Sequence, residues 1–109
     1  MSSAPLGKLI PGVLATGVQG PQALYKGDGF TPATFYCRVS VAPRGAALTV
    51  LLYKNGATTG TTCTVADGAQ TGSVAYTTAV ADGAYFSVNI TQVGTAPNEG
   101  SDLVWMVAP

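Results

Sequence analysis

Three sets of residues in this chain have the types and spacing that chemistry uses. The pentapeptide Val-Ala-Asp-Gly-Ala occurs twice, over 65–69 and 80–84, and carries one carboxylate in each copy, Asp67 and Asp82. Two carboxylates sharing a cleft can hydrolyse a glycoside. Glu99 and Asp102, in Pro-Asn-Glu-Gly-Ser-Asp-Leu, form the only acidic cluster, and with backbone carbonyls such a pair can begin a calcium site. Cys37 and Cys63 are the only cysteines, and the chain has no histidine. Without histidine the commonest general base and zinc ligand are gone, and so are the Ser-His and Cys-His nucleophile pairs.

Local chemistry accounts for most of these groups. Asp28, Asp67 and Asp82 each precede Gly, a pair that makes a turn unaided: Asp accepts nearby backbone hydrogen bonds and Gly takes positive φ. One strand-length run, Gln70 to Val80, separates the two pentapeptides. A single crossing of a sheet then puts Asp67 and Asp82 at opposite ends of the domain, unable to share a site. Glu99 and Asp102 lack a tight ligand loop and read as a solvated loop. No glycine-rich phosphate cradle is present. The expectation is a protein that is not an enzyme and uses no cofactor or metal. Cys37 and Cys63 are expected to face inward as small, buried thiols, fitting synthesis in a reducing compartment. A disulfide there would close a loop worth roughly 3 kcal/mol if the geometry allowed it.

The elements that position these residues are strands. From residue 34 onward apolar and polar residues alternate with period two, in TFYCRVSVA, ALTVLLYKNG, TTCTV, GSVAYTT, AYFSVNITQV and DLVWMVA. Pro43 and Gly45 make a turn in APRGA. Asn55-Gly56 is a hairpin turn, so 48–54 pairs antiparallel with about 57–65. The inward set is Phe35, Cys37, Val39, Val41, Leu48, Val50, Leu52, Cys63, Val65, Val74, Tyr76, Phe86, Val88, Ile90, Leu103, Trp105 and Val107. Residues 1–33 hold four of the seven prolines and alternate poorly. KLIPGVLAT and PQALYKG within them suit short or edge strands, where Pro is tolerated. Together these segments predict an all-β fold: an antiparallel β-sandwich, jelly-roll-like, over 21–109, with an extended N-terminal arm over 1–20.

Composition bounds the partners. The 109 residues are 47% hydrophobic and only 9% charged, against roughly a quarter charged in an ordinary soluble domain. Five basic and five acidic residues cancel. Lys8, Lys26, Arg38, Arg44 and Lys54 are scattered, so no field draws in nucleic acid or an anionic membrane. The N-terminus lacks a basic start and an unbroken apolar core, and no run approaches the roughly 20 apolar residues of a membrane helix. Synthesis in the cytoplasm without export is expected. Leu51, Tyr53, Val104, Met106, Tyr36 and Tyr85 fall on outward faces, and Leu6, Leu9 and Ile10 on the arm. If contiguous, such residues mark a subunit interface. Sugar stacking on Tyr36, Tyr53 or Tyr85 is the alternative use.

The order of the segments carries a resemblance. VAPRGAALTVLLYKNG, TCTVADGAQTGSV and VADGAYFSVNITQVGTAPNEGSDLVWMV together resemble a β-sandwich module of tailed-bacteriophage virion proteins. The matching positions are Pro43, Gly45, Lys54, Asn55, Gly56, Gln92, Val93, Gly94, Gly100, Asp102 and Leu103, within about residues 34–108. The resemblance implies a virion structural protein, most readily a capsid decoration or cement protein on the head surface. It would bind the major capsid protein and itself, as a homotrimer. A receptor- or carbohydrate-binding module of a tail tip or fibre is the alternative it leaves open.

Overall fold

The structure, a computed structural model, describes residues 6–109, and every regular element among them is a strand. The order is β1 (Leu6–Val13), β2 (Gly17–Val18), β3 (Ala23–Leu24), β4 (Thr34–Val41), β5 (Leu48–Lys54), β6 (Ala57–Val65), β7 (Thr71–Ala75), β8 (Tyr85–Gln92) and β9 (Ser101–Ala108). They form two sheets, β1-β9-β4-β7 and β2-β8-β5-β6, with β3 also paired to β8, and each pairing is antiparallel. The expected antiparallel β-sandwich is what the chain forms.

Alternation builds the core. The central strands send alternate side chains inward, and the two inner faces meet through Phe35, Cys37 and Val39 of β4, Leu103, Trp105 and Val107 of β9, Val50 and Leu52 of β5, and Phe86, Val88 and Ile90 of β8. All of these were legible as inward from the sequence. Phe35 meets Trp105 edge-on, with ring centroids 6.5 Å apart, and Tyr76 meets Phe86 likewise at 6.1 Å. Val41 departs from the expectation, being 54% exposed. Its partner on β9 is Ser101, so β4 outruns the core before Val41.

Only β5 and β6 are joined as a hairpin within one sheet. Their two-residue turn has positive φ at both Asn55 (54°) and Gly56 (82°), the geometry that matches strand twist. The two Asp-Gly turns are different. Ala66 O accepts from Ala69 N–H at 2.9 Å and Ala81 O from Ala84 N–H at 3.1 Å, with positive φ only at Gly68 and Gly83. These are type II turns, not hairpin turns, because each carries the chain from one sheet to the other.

The N-terminal segment needs a correction. Residues 6–20 do not form a separate arm: β1 lies along β9 from Leu6↔Val107 to Val13↔Ser101, and β2 pairs with β8. Residues 1–5 lie outside the described residues. The edge-strand reading of Lys8 to Thr16 holds for β1, while Pro11 and Gly12, which break its alternation, hid its place in the sandwich. The break is a bulge between Ile10 and Val13, on an edge strand, where Pro costs no ladder hydrogen bond.

Candidate interaction surface

The candidate chemical groups are dispersed. Gly68 N–H donates to Pro43 O at 2.7 Å, which fixes the Asp67 turn just beyond the end of β4. Asp82 sits before the start of β4. It accepts from Gly27 N–H at 3.2 Å and pairs with Lys26 Nζ at 3.2 Å. The Gly27 hydrogen bond, then Lys26, holds the Asp82 carboxyl below its usual range. The two repeats are thus at opposite ends of β4, and the Asp82 carboxylate is occupied locally. Among the described residues no group of three or more His, Cys, Asp or Glu is placed to hold a metal.

Asp102 has a structural task that its sequence context did not disclose. It stands opposite the Pro11-Gly12 bulge with φ 58°, and its Oδ1 accepts from Gly12 N–H at 2.7 Å. The carboxylate supplies the acceptor that the interrupted ladder lacks. Asp102→Ala is expected to cost about 1–2 kcal/mol in urea unfolding, from the lost charge-assisted bond and the left-handed backbone. Asp102→Asn, which keeps an acceptor and tolerates that backbone, should cost less than about 0.5 kcal/mol.

The outward apolar residues fall into two groups on opposite sides of the molecule. On the outer face of the β1-β9-β4-β7 sheet, Leu9 is opposite Val104, and Val104 opposite Arg38. Gly7 is opposite Met106, and Met106 opposite Tyr36. Opposed side chains on one sheet face touch, so Leu9 (52% exposed), Val104 (39%), Met106 and Tyr36 (45%) form one apolar row, with Arg38 and Asp102 beside it. β1 approaches β9 so closely here that any side chain at Gly7 would strike the Trp105 carbonyl oxygen.

On the other outer face lie Leu51, Tyr53 and Tyr85, half-buried, with exposed Val18 and Leu24 beside them through Val18↔Asn89 and Leu24↔Tyr85. Asn89 Nδ2 donates to the Tyr53 hydroxyl at 3.4 Å. Leu51 and Tyr53 therefore lie on the opposite side of the molecule from Val104 and Met106, since β5 and β9 belong to different sheets. Ile10, expected at an interface, is 7% exposed and in the core, and Leu6 packs against that core. The poor alternation of residues 6–24 is why Val13, Val18 and Leu24 went unrecognised as exposed apolar positions.

No protein-family model matches this chain, and no curated protein matches it.

Proposed function

We propose that this protein is a structural component of a tailed-phage virion, a decoration or cement protein that sits on the head lattice, bound to the major capsid protein and to copies of itself as a trimer. It acts by burying apolar surface and performs no catalysis. The observation that carries the reading is the apolar row Leu9, Val104, Met106 and Tyr36, flanked by Arg38 and Asp102 on the outer side of the sandwich. A contact of roughly 800 Å² per partner suffices for specific association, and repetition over a shell multiplies it.

The strand order supports the fold part of this reading. The chain changes sheet at each connection except the β5–β6 hairpin and the step from β2 to β3, both of which pair with β8. That interleaving of two antiparallel sheets supports a jelly-roll reading, the architecture of capsid and lectin domains. The positions matching the phage module also have structural tasks here: Asn55-Gly56 makes the hairpin turn, Gly94 leaves no room for a side chain against Arg44 and Asn98, and Asp102 anchors the bulge.

Self-association is tested by light scattering of the purified protein and of Leu9→Glu/Val104→Glu. The wild type should be trimeric at micromolar concentration and the double variant monomeric, with Tm within about 5 °C of wild type because both sites are exposed. The same pair co-sedimented with virus heads should show binding by the wild type alone. A wild-type monomer that ignores heads overturns the reading.

One observation favours the alternative, a receptor- or carbohydrate-binding module of a tail tip or fibre. Tyr53, braced by Asn89, shares the second outer face with Tyr85, which gives flat aromatics flanked by amide and hydroxyl groups. Glycan binding lost on Tyr85→Ala would select it.

A further inference from the structure

Cys37 and Cys63 come from opposite sheets. Cys37 projects inward from β4 and Cys63 from β6, and both are buried and unbonded. Across the β4–β7 ladder the partner of Cys37 is Gly72. That glycine is where the sheets converge: any side chain there would strike the Thr64 carbonyl oxygen, and the place its Cβ would take is 3.3 Å from the Cys63 sulfur. Opposed Cβ positions in a ladder are roughly 5 Å apart. The Cys63 sulfur thus fills the space that Gly72 leaves open, immediately beside Cys37.

We propose that Cys37 and Cys63 form an inter-sheet disulfide site, reduced in the structure described here and closed when the protein meets a low-molecular-weight disulfide such as oxidised glutathione. The inference holds whether or not the protein belongs to a virion. It concerns how the two sheets are joined, not what the outer faces bind.

Position assigns the roles of the two thiols. Cys37 hydrogen-bonds to the Cys63 sulfur, which lowers the Cys63 thiol; the same contact, together with burial, pushes the Cys37 thiol up. Cys63, on the outermost strand β6, is the thiol that an opening edge exposes first and is the attacking thiolate, while Cys37 lies on β4, between β9 and β7. It displaces one glutathione thiolate and forms a mixed disulfide. Cys37 then gives up its proton and attacks the Cys63 sulfur, releasing the second glutathione. Two protein thiols lose two electrons and two protons, and one oxidised glutathione becomes two reduced molecules. β6 and β7 are the outermost strands of their sheets, so opening of that one edge admits the reagent.

The test equilibrates the native full chain in glutathione buffers from reducing to oxidising. Readouts are intact mass, thiol titration in denaturant and melting temperature. The expected product is a monomer lighter by two hydrogens, without free thiols, melting higher on the order of 10 °C. The variant Cys63→Ala, a small apolar replacement, should melt identically in both buffers. Persistent thiols in the oxidising buffer, glutathione adducts, linked dimers, or an oxidised monomer that melts no higher would each overturn the proposal. So would a redox-dependent shift in Cys63→Ala.

Discussion

Removal of residues 2–12 should lower the melting temperature on the order of 15 °C and expose the protein to aggregation. The segment takes Ile10 out of the core and Leu6 from its edge. Burial of one such side chain is worth about 1.5–3 kcal/mol. It also takes the hydrogen bond from Gly12 to Asp102 and the ladder from Leu6 to Ile10. A combined loss of about 4 kcal/mol corresponds to that shift for a domain of this size. β9 would become an unprotected edge, a template for pairing with other chains. A circular-dichroism melt decides the matter: an unchanged transition would mean that β1 is an attachment arm and not part of the sandwich.

The second large effect is expected at Trp105, the only tryptophan, fully buried at the centre of its sheet and edge-on to Phe35. Trp105→Ala should cost about 3–5 kcal/mol in urea unfolding, through lost burial and the cavity left behind. Trp105→Phe should stay within about 1 kcal/mol of wild type. The indole Nε1 is buried without a hydrogen-bond partner among the described residues, and removing such a donor offsets much of the lost area. A Phe variant as damaged as the Ala variant would show that the indole nitrogen contributes to stability.

The strands of the core could be read from the sequence because period-two alternation is local: Phe35, Cys37 and Val39 declare their face without knowledge of their neighbours. The Asn55-Gly56 turn was legible for the same reason, since its conformation depends on those two residues. What alternation does not encode is which of two sheets a strand joins. Leu51 and Val104 read alike as outward, yet they lie on opposite sides of the molecule. β1 was legible as a short or edge strand but not in its pairing, because its irregular residues, Pro11 and Gly12, are completed by a carboxylate 90 positions away. The apposition of the cysteines was half legible. Both residues declare the interior, but their contact depends on the missing side chain of Gly72, on a third strand.

The place of β9 between β1 and β4 governs how the molecule is made. On the ribosome, the segment that completes this sheet leaves the exit tunnel after every strand it joins. Until it does, β1 has no partner and the sheet has no middle. The nascent chain must therefore wait, partly paired and with apolar faces bare, before it can close on itself. Contacts this remote along the chain also make closure slow once it begins.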